Sequence, residues 1–163
     1  MNGTPERPEK LSEKKYWDEV HSGRKSDGAP AHVRAARKIL GPSMIDRMSS
    51  YDDYLLWNVI YPSVLPVAEG SSVFEIGSAP GKHLVRMCDR LGCEVWGLEY
   101  SPEGAAANRE TFRAAGIDPD RVIEADLFDG GPLEKHAGQF DIVMSRGFIE
   151  HFDDPSGARE RHL

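Results

Sequence analysis

The sequence predicts an α/β fold, a parallel sheet with helices on both faces, and three observations carry the prediction. From Ser71 onward short apolar runs alternate with amphipathic helical stretches, Gly, Pro or Ser punctuates each change, and the helical stretches are long enough to cross between parallel strands. A chain of 163 residues, 39% hydrophobic and 29% charged, suits one ordinary domain with a real core. Two regions are expected: residues 1–50 as a basic, partly flexible arm with short helices, and residues 51–163 as the sheet-bearing domain.

The arm opens with Pro, Gly, Ser and charge up to about residue 29, a composition that suits a solvated, partly disordered leader with one short helix, "SEKKYWDEVH", capped by Ser12. Tyr16 and Trp17 stand out in it. Two large aromatics there either dock the arm onto the body or form part of a lid over a ligand. "PAHVRAARKILG" sets Val33, Ala36, Ile39 and Leu40 at helical spacing and stops at Gly41. A stronger helix runs from about Asp52 to Leu65 and should bend or break at Pro62.

The sheet begins with "SVFEIG", followed by the helix "GKHLVRMCDRLG", in which Leu84, Val85, Cys88 and Leu91 share one side and His83 reads as a surface or capping residue. "CEVWGLEY" is the second strand. The next helix, "SPEGAAANRETFRAAG", has Ser101 as its cap, Pro102 in its first turn and Gly116 as its stop. "DRVIEADLF" reads as the third strand and "GQFDIVMSRGF" as the fourth, after a Gly-rich connection. There is no internal repeat and no low-complexity tract.

The turn after the first strand narrows the ligand. A phosphate-wrapping loop needs G-x-x-x-x-G-K-[ST], but Gly77 and Gly81 enclose only three residues and Lys82 is followed by His83. A dinucleotide loop needs G-x-G-x-x-G, and those places hold Ala79 and Lys82. What remains is Glu75 two residues before Gly77. A carboxylate at the end of the first strand repels phosphate and attracts a cation.

This stretch, Glu75-Ile76-Gly77-Ser78-Ala79-Pro80-Gly81, resembles the first motif, E/D-x-G-x-x-x-G, of the class I S-adenosylmethionine-dependent methyltransferases. The resemblance implies a Rossmann-like parallel sheet with an N-terminal helical extension and S-adenosyl-L-methionine as cofactor. It implies that Glu75, Gly77, Ser78, Ala79 and Gly81 form the donor loop, and that Glu99, followed by Tyr100, accepts from the ribose hydroxyls. It further implies that Asp126 meets the adenine amino group while Leu127 packs on the ring, and that Ser145 and Arg146, with Gly147, lie beside the methionine. The run "IEHF" is most similar to bacterial small-molecule members. No Asn-Pro-Pro-Tyr-like run or Pro-Cys pair, such as base-methylating relatives carry, stands there, so amino-adenine and cytosine-carbon methylation are both disfavoured.

Transfer of a methyl group from a sulfonium is an in-line displacement that depends on alignment and needs no metal. His151 is the candidate base for an acceptor proton, and Glu150 the neighbour that could orient it or bind an acceptor amine. The plainer alternative is that "EHFDDP" is a solvated turn. Glu150, His151, Asp153 and Asp154 have the chemistry of a divalent-metal site, but neighbours in an irregular segment rarely converge, so no metal is expected. The acceptor is expected to be a small molecule, with oxygen, nitrogen and carbon all open. Two further readings stand beside this one. The first is an NAD-type dinucleotide-binding oxidoreductase, since Glu99 lies eighteen residues after Gly81 as a dinucleotide fold would also place it.

The second is a non-catalytic module completed by a partner. In the resembled family the sheet has the strand order 3-2-1-4-5-7-6, and this chain supplies β1–β4, so it is expected to be truncated at its C-terminus and to lack strands 5–7. Strand four would then be an apolar edge open to self-association or to a partner chain. The formal net charge of −7 falls on the body, while nine bases against six acids before Leu40 make the arm mildly basic. An acidic body argues against dedicated nucleic-acid binding. No apolar run could cross a bilayer and the polar N-terminus lacks a secretory core, so a cytoplasmic location is expected. Cys88 and Cys93 read as reduced, partly buried thiols.

Overall fold

The computed structural model of the protein describes residues 10–22 and 50–161. The helix expected over "PAHVRAARKILG" lies outside them. Two compact units divide the chain, one formed by residues 1–24 with 68–163 and the other by residues 25–67.

In the second unit, residues 50–64 are helical throughout. Leu56–Ile60 is a π-helical turn and Tyr61–Val64 an α-helical one. Pro62 thus widens the helix instead of breaking it, because a π turn relieves the clash between the proline ring and the preceding carbonyl. Trp57 and Tyr61 are buried edge to face, with ring centroids 5.0 Å apart.

The first unit carries a four-stranded parallel sheet in the order β3-β2-β1-β4, with β1 Ser72–Ile76, β2 Glu94–Glu99, β3 Val122–Glu124 and β4 Ile142–Ser145. This is the Rossmann-like arrangement expected from the sequence. β3 and β4 are shorter than their apolar runs suggested. β3 ends where Ala125 donates a last bond to the Glu99 carbonyl, and β4 ends before Gly147, whose φ of +64° turns the chain away. Asp141 clasps the starts of β1 and β4. Its carboxylate accepts from the backbone N–H and the hydroxyl of Ser72, both at 2.8 Å, and these bonds hold its pKa below the usual carboxyl range.

Side chains alternate across the strands. Phe74, Ile76 and Leu98 form a core with Leu127 on one face. On the other face, α2 (Lys82–Leu91) and α3 (Pro102–Ala114) cover Val73, Val95 and Val122. The inward side of α2 is His83, Leu84 and Met87; of the expected side of Leu84, Val85, Cys88 and Leu91, Leu84 is buried and the other three are half-buried. Gly81 enters α2 in a left-handed conformation, and His83, read from sequence as a surface or capping residue, is buried. Ser101 caps α3 as predicted, accepting from the Gly104 N–H at 3.1 Å.

Phe112 on α3 is fully buried. Phe112→Ala is expected to cost about 3–5 kcal/mol through lost transfer energy and the cavity left behind. A urea midpoint lowered at unchanged slope would show it. Cys93 is buried and Cys88 half-buried, and both are free; burial first, and then Cys88, pushes the Cys93 thiol up, as suits an inert core thiol.

The arm is tied to this unit rather than solvated over residues 10–22. Helix α1 (Lys14–His21) packs on α3, Lys10 bridges antiparallel to Phe152, and the Leu11 N–H donates to the His151 carbonyl at 2.8 Å.

Candidate functional site

Parallel strands leave their carboxyl ends along one edge, where the turns into the helices converge. At this edge the turn from β1 into α2 is set by two left-handed glycines. Gly77 has φ +73° and Gly81 φ +85°. A Cβ on Gly77 would lie 3.3 Å from the Phe148 ring, so only a glycine keeps this wall open. Gly81 meets α3: a Cβ there would come 2.1 Å from Asn108 Oδ1. Asn108 is buried and donates through Nδ2 to Ser78 Oγ at 2.6 Å, while Ser78 donates to the Leu98 carbonyl at 3.3 Å. Loop, β2 and α3 are locked together through these contacts.

Three carboxylates stand at three successive strand ends, each held differently. Glu99 is buried, with Oε2 accepting from the Ala79 N–H at 3.2 Å and Oε1 from the Ser101 N–H at 3.0 Å. Backbone donors fix its position and leave lone pairs for further bonds. Asp126 accepts from the Phe128 N–H through Oδ1 at 3.1 Å and from Lys10 Nζ through Oδ2 at 2.6 Å. Glu75, 2% exposed, receives Arg146 Nε at 3.1 Å and faces His83 Nδ1 at 3.3 Å, both through Oε1. Its Oε2 is buried with no hydrogen-bond partner among the described residues.

Between these groups lies a cavity of about 220 Å³. Its floor includes Ile76, Gly77, Leu98 and Leu127, and its far wall Arg146, Phe148, His151 and Phe152. The arm forms a further wall, contributing Lys10, Ser12, Trp17 and His21. Trp17 donates to Ser12 Oγ at 3.1 Å and meets the His151 ring edge-on, with centroids 4.7 Å apart. Trp17 thus lines the cavity on an arm whose helix packs on α3.

Of the residues singled out from sequence, Gly77, Ala79, Glu99, Tyr100, Asp126, Leu127, Arg146, Gly147 and His151 line the cavity. The other five do not. Glu75 sits behind Gly77 and reaches the wall through Arg146; Ser78 and Gly81 face α3; Ser145 ends β4 opposite Ile76; Glu150 is exposed. Lys10, Ser12, His21, Phe148 and Phe152 were missed. Three of them had no local signal, whereas the Phe148 and Phe152 pair, four residues apart around "IEH", offered a faint one. Asn108 was also missed, although a polar residue between Ala105 and Phe112 at helical spacing marks a buried amide.

The donor set suits S-adenosyl-L-methionine. Glu99 and Asp126 line the cavity, and the lining cations Lys10 and Arg146 are already paired with Asp126 and Glu75. A pyrophosphate would meet repulsion there. Among the described residues no three His, Cys, Asp or Glu side chains gather as metal ligands, and no helix is long and apolar enough to cross a membrane.

Comparison with known proteins agrees with this chemistry. Residues 73–160, more than half of the chain, match the family described as methyltransferase domain. A protein-lysine N-methyltransferase, EFM4 of Saccharomyces cerevisiae, is 26% identical over 156 residues, covering 92% of this chain and 63% of its own. A phosphoethanolamine N-methyltransferase 2 from Haemonchus contortus, solved with phosphomonomethylethanolamine and S-adenosylhomocysteine, is 26% identical with a TM-score of 0.50 over 64% of this chain and 24% of its own. A structure from Methanococcus maripaludis assigned as an S-adenosyl-L-methionine-dependent methyltransferase is 17% identical, with a TM-score of 0.51 over 98% of this chain and 61% of its own, and it supports the fold alone. The chain spans less than two thirds of the length of each of these relatives.

Proposed function

Because the chain belongs to the S-adenosyl-L-methionine-dependent methyltransferase family, we propose that it supports methyl transfer from that cofactor to a nitrogen of a small-molecule amine. The observation that carries the cofactor half is Glu99, a buried carboxylate fixed by two backbone N–H groups on the cavity wall. Nitrogen is favoured because the yeast and Haemonchus relatives are both N-methyltransferases by name. A small acceptor is favoured by the arm, which narrows the cavity with Trp17 and His21.

When bound, the cofactor supplies an activated methyl group on a sulfonium. The residues of this chain then orient and deprotonate. In this reading Glu99 accepts from both ribose hydroxyls, Asp126 accepts from the adenine amine, and Leu127 lies against the ring. Arg146, held by Glu75, pairs with the methionine carboxylate, while the negative charge of Glu75 behind Gly77 favours the ammonium. His151, steadied edge-on by Trp17, takes the proton that an attacking amine must lose. The aromatic walls exclude water from the line of transfer.

Calorimetric titration with S-adenosylhomocysteine and with NAD tests the cofactor half. Saturable binding of the first and none of the second is expected, and the opposite pattern would overturn the reading. His151→Gln is expected to lower the transfer rate by about 10²-fold or more with little change in S-adenosylhomocysteine affinity. An unchanged rate would remove His151 from the chemistry. A protein lysine is the second reading, favoured by the yeast relative. Labelled methyl groups appearing in protein rather than in small amines would move the assignment to it.

A further inference from the structure

We propose that Lys10 is a built-in competitor for the adenine subsite, so that cofactor binding requires its ammonium to leave Asp126. The inference rests on the reading above that adenosine lies between Glu99 and Asp126. Three observations carry it. Lys10 Nζ lies 2.6 Å from Asp126 Oδ2, and the other oxygen of that carboxylate already accepts from the Phe128 N–H. The same ammonium lies 3.9 Å from the centroid of the Tyr100 ring, on the cavity side, since Lys10 and Tyr100 both line the cavity. The side chains of the pair are 21% and 5% exposed, so the contact is largely withdrawn from water.

An amino-bearing aromatic ring placed against Asp126 would need what Lys10 now provides: an N–H donor to this carboxylate and a group over the Tyr100 face. The two occupants therefore exclude one another. Only the side chain has to move. The backbone around Lys10 is fastened by its bridge to Phe152 and by the Leu11 bond to the His151 carbonyl, whereas the four-carbon stem is flexible. The wall made by Trp17 and Ser12 can stay while the ammonium swings out. Competition of this kind lowers the apparent affinity by the fraction of molecules in which the subsite is open.

The test is calorimetric binding of S-adenosylhomocysteine to the full chain and to Lys10→Met, Lys10→Gln, Lys10→Arg, Glu99→Gln, Asp126→Asn and the Lys10→Met/Asp126→Asn double variant. Met keeps the length of the stem without donor or charge, Gln loses the charge and one atom of reach to Asp126, and both should bind roughly three- to tenfold more tightly than the parent. Arg retains the competitor and should bind within twofold of the parent. With Asn at position 126, Lys10→Met should add less than twofold, because the ion pair is already gone. Equal or weaker binding by both neutral variants would overturn the competitor. If instead binding is indifferent to Glu99→Gln and to Asp126→Asn, the adenosine placement itself fails and the competitor falls with it. If binding depends on both carboxylates while the neutral variants do not tighten it, only the competitor falls.

Discussion

Glu99→Ala is expected to weaken S-adenosylhomocysteine binding by about 10²-fold and to lower stability as well. On the proposed placement of the ribose, the cofactor effect would follow from losing two charge-assisted hydrogen bonds, each worth about 1.5–3 kcal/mol net and partly offset by water entering the vacated space. The stability effect has a separate origin. The Ala79 and Ser101 N–H groups now donate to this carboxylate, and truncation would leave both without it at the base of the cavity. Each unsatisfied donor costs about 1–3 kcal/mol when buried. Glu99→Gln separates the two effects, because one oxygen survives to hold a backbone donor while the charge is lost. Calorimetry and urea unfolding of both variants check this, and binding within threefold of the parent in the alanine variant would rule out Glu99 as the ribose anchor.

The second large effect is expected at Gly81. Alanine there must adopt φ near +85°, and its methyl group would lie 2.1 Å from Asn108 Oδ1 and 3.3 Å from the Phe112 ring. Asn108 cannot easily yield, since it is buried and bonded to Ser78 Oγ. The left-handed backbone costs roughly 1–2 kcal/mol and the overpacking a further 1–3. Gly81→Ala should therefore lose about 2–5 kcal/mol in urea unfolding. Gly116 provides the comparison, with φ +74° and nothing within 4 Å of an added Cβ. Gly116→Ala should lose only the backbone part, and equal losses at the two positions would show that the contact with Asn108 is not decisive.

These two glycines and three acids illustrate how the sequence could be read. Glu75, Glu99 and Asp126 were identifiable because each closes a short apolar run before a turn, a pattern set within a few residues. Gly77 and Gly81 were identifiable by spacing, but their tasks were not. Gly77 leaves room for the Phe148 ring at the cavity, whereas Gly81 permits a helix to approach, and only the position of α3 separates the two roles. His83 was misplaced for a similar reason, since helical periodicity gives the faces of α2 without saying which one the Gly81 turn rotates inward.

The alternation of strands and helices and the carboxylates that close the strands were readable in the sequence alone, whereas the strand order and the cationic, phosphate-free cofactor were what the family resemblance implied. Periods of 2 and 3.6 residues and glycine spacing are local properties of the chain. The cavity was decided by tertiary structure. Lys10 reaches Asp126 across 116 positions, and Trp17 reaches His151 from a segment whose composition reads as solvated leader. Those contacts depend on one ion pair, one edge-on ring pair and the docking of α1 on α3, none of which leaves a periodic mark in sequence.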